Sequence, residues 1–151
     1  MATTAAPRPF EGIKVIDVTH VLAGPFAAYQ LAVHGAHVIK VENPREPDMS
    51  RTSGSDAEDN ARLMGSGFLT QSSNKRAITL DLKRREGQAV LKRLAATADV
   101  LIEDFRPGAL AALGLGYADL AAINPRLIYA NFSAFGQDGP RGNYTAYDHV
   151  I

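Results

Sequence analysis

Cysteine and tryptophan are absent from the 151 residues. Without a thiol there is no disulfide scaffold, no Cys-ligated zinc, no iron–sulfur cluster and no thiol nucleophile. Excess charge of either sign is also missing, since 16 Lys and Arg balance 16 Asp and Glu. That balance argues against a protein that grips nucleic acid by bulk electrostatics, and leaves room for a small anion held by a local patch. No run approaches the roughly 18 apolar residues of a membrane span. Residues 1–9 lack the apolar core of a secretory signal and read as a flexible, Pro-punctuated tail. The expectation is a cytoplasmic protein with neither a nucleic-acid nor a membrane partner.

What is present is alternation. Lys14 to Thr19 reads as a strand, Phe26 to His34 as a helix that Gly35 stops, and His37 to Val41 as a second strand. Strand, helix, strand with short links is a βαβ unit, which implies parallel pairing and a right-handed crossover. Ala61 to Ser72 reads as a short helix weakened by Gly65 and Gly67, and Ala77 to Asp81 as a third strand. A helix over Arg84 to Ala96 follows, then strands at Val100–Glu103 and Leu127–Ser133, with short helical pieces between them near Pro107–Leu113 and Tyr117–Ile123. Tyr147 to Ile151 looks like the start of another helix, with Asp148 as its first-turn acid. The fold class is α/β: a Rossmann-like parallel sheet with helices on both faces.

Charge is balanced only globally. From Glu42 to Asn60 six acids face two bases, a net of −4 in a polar segment too long for a plain connection, and therefore functional or mobile. From Lys75 to Arg93 seven bases face two acids. Lys92 and Arg93 fit a solvated helix face. Lys75, Arg76 and Lys83 flank a strand, where solvated ends and phosphate contacts are both open. Ligands of parallel sheets gather at the carboxyl ends of the strands, which singles out the turn from Thr19 to Pro25. That turn has one glycine, Gly24, and lacks the G-x-G-x-x-G of a dinucleotide site. Of the four histidines only His20 stands at a strand end, and no metal-ligand spacing links them. Asp17, inside a strand, suits a buried hydrogen-bonding acid. No complete catalytic constellation is present.

Several stretches in order carry a resemblance. They are Phe10–Pro25 (FEGIKVIDVTHVLAGP), Gly35–Glu42 (GAHVIKVE), Asn74–Lys83 (NKRAITLDLK), Ala98–Gly108 (ADVLIEDFRPG), Leu113–Tyr117 (LGLGY), Asn124–Tyr129 (NPRLIY) and Phe135–Pro140 (FGQDGP). Together they resemble the class III CoA-transferases of the CaiB/BaiF type over residues 10–151. The resemblance implies an enzyme that moves CoA between an acyl-CoA thioester and a carboxylic acid. An aspartate carboxylate attacks the acyl-CoA, and an acyl anhydride and then an aspartyl-CoA thioester follow. It implies no prosthetic group, with coenzyme A and acyl-CoA as substrates, and an intertwined homodimer. It places the CoA contacts at Leu22, Ala23, Leu80, Lys83, Asp104, Phe105, Arg106, Thr145, Ala146 and Tyr147. It places the attacking aspartate beyond Ile151, so that residues 10–151 are the N-terminal part of a CoA-binding domain, with no catalytic residue in the chain and no activity by itself.

The chain departs from the family's pattern at four places. Asp104 stands where Asn is frequent, Ala112 and Asn43 where cations are, and Tyr147 where the racemases of the family have a proton-shuttling His. A tyrosine with its ordinary pKa near 10 is a poor base at neutral pH, which favours transfer over α-methylacyl-CoA racemisation. The remaining alternative is a non-catalytic CoA-binding module or a split-gene piece.

Overall fold

Five strands lie parallel, as the alternating pattern predicts, with the third, second, first, fourth and fifth in chain order side by side. In this computed structural model residues 6–147 and Val150 are described; the expected helix start over Tyr147–Ile151 includes Asp148, His149 and Ile151, which lie outside them. The strands are β1 (Lys14–Asp17), β2 (His37–Glu42), β3 (Lys75–Thr79), β4 (Val100–Glu103) and β5 (Ile128–Asn131). Val15 pairs with Val38 on one side and Val100 on the other, and Asp17 is level with Lys40 and Ile102.

Period-two alternation distributes the side chains between two cores. On one face Val15, Val38 and Ile102 pack with Ala36 and with Ala28 and Ala32, the small residues that let α1 (Ala23–Val33) sit close to the sheet. On the other, Ile16, Val18, Val41 and Leu101 pack with Leu91 and Ala95 of α4 (Arg85–Ala95). The same core takes in Leu110 of α5 (Ala109–Ala112) and Leu120 of α6 (Tyr117–Ala121). Helices therefore cover both faces. Gly35 ends α1 with φ 111°, its N–H bonded to Ala32 O and that of Ala36 to Leu31 O, a Schellman stop.

The segment after β2 departs from expectation. It carries three short elements: a 3₁₀ turn spans Met49–Thr52, α2 spans Ala57–Ala61 and α3 spans Ser66–Ser72. The single helix expected over 61–72 is broken because α2 stops at Ala61, and Leu63 takes the left-handed C′ position (φ 60°) that glycine usually fills. α3 then lies against the 3₁₀ turn, with Gly67 N–H donating to Ser53 O at 2.9 Å. β3 begins at Lys75 rather than Ala77, so Lys75 and Arg76 sit within the strand instead of ahead of it.

Candidate functional site

β1 leads to β2 on one side and has β4 as its other neighbour, so the sheet's topological switch falls between β1 and β4. Connections leaving those two strands diverge, and the crevice at their carboxyl ends is where parallel sheets hold ligands. Here the end of β1 supplies His20 and the end of β4 supplies Phe105, ring to ring edge-on at 5.5 Å and 86°. A cleft of about 430 Å³ opens beside them. Val18, Val41, Leu80 and Leu110 give it an apolar floor, and Lys83 is the cation on its wall. Volume and lining suit a small organic ligand with an apolar body. A larger hollow of about 500 Å³ lies at the amino ends of the strands, near Arg8, Lys14 and Arg76. It holds none of the expected contact residues.

The turn from Thr19 to Pro25 is fixed by five side chains. Lys40 Nζ donates to Thr19 O at 2.8 Å. His20 N–H donates to the Asp104 carboxylate at 2.9 and 3.1 Å, and Val21 N–H to both oxygens of Asp48 at 3.1 and 3.2 Å. Lys75 Nζ donates to Pro25 O at 2.8 Å, and the Gln71 amide, with its nitrogen facing the turn, donates to Val21 O and Leu22 O. Val21 has φ 69°, a rare conformation for a β-branched residue. Strain held in place by surrounding contacts marks functional turns.

Beneath the turn lies a buried ionic network. Lys75 pairs with Asp17 at 2.8 Å, and Lys40 with Asp48 at 3.2 Å; all four side chains are at most 2% exposed. Asp17 also accepts from Thr19 N and Oγ1, which settles it as a structural acid. Arg51 holds Glu42 through two hydrogen bonds at the far end of β2. Burial pulls Lys75 below the usual lysine range despite Asp17 beside it. Burial works against ionising Glu42 and Asp48 too, but Arg51, the Asp48 N–H and Lys40 together outweigh it at Glu42, and Ser50, Lys40 and the Val21 N–H together at Asp48, leaving both below the usual carboxylate range. Burial raises Glu103, which accepts from Phe105 N–H and the Asn131 amide.

The expected residues are partly gathered. Leu80, Lys83 and Phe105 line the cleft together. Leu22 and Ala23 are exposed at the amino end of α1, where Leu22 gives no side-chain cap. Asp104 faces the turn's amide rather than the cleft, and Arg106 is exposed beside it. Thr145 and Tyr147 are exposed and Ala146 half-buried; Tyr147 Oη lies 3.9 Å from Sδ of Met49, itself on the cleft's lining. Lys75, open as a phosphate contact from sequence, is instead buried against Asp17. Sequence reasoning passed over Lys40, Asp48 and Arg51. Their partners lie 21, 27 and 9 positions away, and periodicity has no signal for such pairings.

Comparison with known proteins adds the decisive observation, because the family model for CoA-transferase family III matches residues 10–151. The chain belongs to CoA-transferase family III. A succinate–glutarate CoA-transferase of Agrobacterium fabrum is 43% identical over 95% of this chain and 36% of its own length. An acetyl-CoA:oxalate CoA-transferase of Acetobacter aceti is 45% identical over 99% of the chain and 38% of its own. A crystal structure of a CaiB/BaiF family protein from Brucella suis superposes with a TM-score of 0.86 and 39% identity, over 95% of this chain and 38% of that one. The chain thus spans a little over a third of the length of these family members. Among the described residues no helix is long and apolar enough to cross a membrane.

Proposed function

We propose that residues 10–151 form the N-terminal part of the CoA-binding domain of a class III CoA-transferase, and that the carboxyl-end cleft takes CoA. The observation that carries this is the convergence of Leu80, Lys83 and Phe105 on one cleft at the switch between β1 and β4, in a chain of this family. Each has a physical part to play. Leu80 with the apolar floor suits the pantetheine arm, Phe105 offers an aromatic face, and Lys83 offers a cation to phosphate. On the same reading Leu22 and Ala23 at the start of α1 and Asp104 and Arg106 after β4 meet CoA outside the cleft's own lining. Thr145, Ala146 and Tyr147 approach from the segment beyond β5.

On this reading the enzyme passes CoA from an acyl-CoA to a carboxylic acid. A carboxylate supplied by chain beyond Ile151 attacks the thioester carbonyl, releases the CoA thiolate and forms an acyl anhydride. The thiolate attacks the enzyme-side carbonyl of the anhydride, giving an enzyme-bound CoA thioester and expelling the donor acid. The acceptor carboxylate then displaces the thiolate to form a second anhydride, and the thiolate attacks its acceptor-side carbonyl, yielding the new acyl-CoA and freeing the enzyme carboxylate. These residues hold the leaving thiolate's carrier in place and do no bond-making, so the fragment alone is inactive. The reading also carries an intertwined homodimer working in the cytoplasm, without a prosthetic group. Calorimetric titration of CoA into the chain tests it. Saturable binding weakened by Lys83→Ala is expected. No heat at millimolar CoA, with the chain melting cooperatively, overturns it.

A further inference from the structure

We propose that Asp48 is a positioning residue: gripped by Lys40 and Ser50, its carboxylate holds Val21 in the left-handed conformation and so fixes where His20 and Leu22 stand at the cleft. Its functional consequence rests on the CoA reading of that cleft; its geometry does not.

A β-branched residue pays most for a left-handed backbone, and Val21, at φ 69°, is one of three non-glycine residues with positive φ among the described residues. Nothing in its own side chain favours that state. What holds it is its amide, shared by both oxygens of Asp48, together with its carbonyl, which accepts from the Gln71 amide. Asp48 is itself immobilised. It is 2% exposed, accepts from Ser50 N at 3.0 Å and Ser50 Oγ at 2.7 Å, and lies 3.2 Å from Lys40 Nζ. Its own N–H donates to Glu42 at 3.0 Å, which Arg51 holds in turn. Lys40 closes the loop by donating to Thr19 O, two residues before Val21.

The reversal at Val21 is what separates its neighbours. His20 turns inward against Phe105, on the cleft, while Leu22 is half exposed where α1 begins. Were Val21 to relax to an ordinary φ, the peptide planes on both sides would rotate and neither neighbour would keep its place. The segment after β2, which carries no expected contact residue of its own, thereby acts on the turn through the Asp48 carboxylate, beside the Gln71 amide on Val21 O and Leu22 O. The lowered pKa of Asp48 agrees, since its bonds require the ionised form.

Four forms of the chain decide it: the parent, Asp48→Asn, Val21→Gly and the pair together, each titrated with CoA and followed by amide hydrogen exchange. Asp48→Asn should weaken CoA at least tenfold and speed exchange from His20 to Leu22, while Val15 and Ile16 keep their protection. Val21→Gly alone should bind within twofold of the parent. The double variant should recover to within threefold, because glycine adopts this φ without a side-chain penalty. A purely structural Asp48 predicts no such rescue. Unchanged affinity or exchange in Asp48→Asn, or a double variant as weak as Asp48→Asn, overturns the proposal. Should Asp48→Asn lose cooperative melting, Val21→Gly decides: a higher melting temperature than the parent supports stored strain, and a lower one overturns it. A parent chain that does not bind CoA overturns the proposed function instead, and the exchange pattern still judges the clamp.

Discussion

Arg51 clasps Glu42 side-on, its Nε and Nη2 donating to the two carboxylate oxygens at 2.8 and 2.6 Å. The same guanidinium lies 3.6 Å above the Phe68 ring of α3, so one side chain ties the end of β2 to the helix behind the 3₁₀ turn. Lysine reproduces neither the fork nor the planar stack. Arg51→Lys should therefore cost about 2 kcal/mol, from one charge-assisted hydrogen bond and the lost cation–π contact over a carboxylate only 4% exposed. Urea unfolding of the two forms measures it. A loss under about 0.5 kcal/mol, the level of ordinary surface substitutions, would mean the clasp is incidental.

Two carboxyls should give the acid limb of the stability curve opposite slopes. Asp48 is lowered in the folded chain, so it binds fewer protons there than when unfolded. Its contribution is fully present above the ordinary carboxylate value near 4 and drains away as pH falls through that value and the lower native one. Glu103 is raised by burial, so its contribution is fully present below the ordinary value and is lost as pH rises through the raised one. Asp48→Asn should thus lose more stability at pH 7 than at pH 3, and Glu103→Gln more at pH 3 than at pH 7. Urea midpoints at both pH values check each sign, and equal losses would show that neither shift reaches the global stability.

The sheet was legible because β-branched runs at Lys14, His37, Val100 and Leu127 report their own local conformation. Leu80, Lys83 and Phe105 were singled out by the family resemblance rather than by periodicity, and they share one cleft because residues just past a strand end lie at its carboxyl edge. The support beneath them was not. Lys40 sits in His-Val-Ile-Lys-Val-Glu, where alternation assigns it simply to one face of the strand, and nothing local says that Asp48 and Thr19 cover that face. Lys75 likewise looks like part of a basic surface until Asp17, 58 positions earlier, is brought to it. Charged pairs between distant segments carry no periodic signature. The helix expected across 61–72 failed for a related reason: Leu63 takes a left-handed stop that leucine does not advertise.

Lys83 and Lys75 should separate binding from folding. Lys83 is exposed on the cleft wall, so Lys83→Ala should leave stability within about 0.5 kcal/mol and weaken CoA about tenfold. Lys75 has 2% of its side chain exposed, and removing it strands Asp17 without a counter-ion. Lys75→Met should cost about 3–5 kcal/mol, the range for breaking one side of a buried pair. Thermal melts beside CoA titrations give both quantities for both variants. A Lys75→Met chain of near-parental stability that loses only CoA affinity would reassign Lys75 to the ligand.

Gly24 lies where α1 passes closest to Thr19. A Cβ built there would stand 2.4 Å from Thr19 Cγ2 and 2.5 Å from its Cβ, well inside any tolerated contact. Thr19 has nowhere to retreat. It is fully buried, its N–H and hydroxyl are both committed to Asp17, and its carbonyl to Lys40. In an open helix, alanine in place of glycine gains about 1 kcal/mol. Here the contact should reverse the sign, so that Gly24→Ala costs about 1–3 kcal/mol as α1 is pushed from β1. The displacement also carries the start of α1 away from the cleft, so CoA affinity should fall with the melting temperature. A more stable Gly24→Ala chain would show that α1 can slide along the sheet without disturbing the turn, and that the close approach is not what the single glycine of that turn provides.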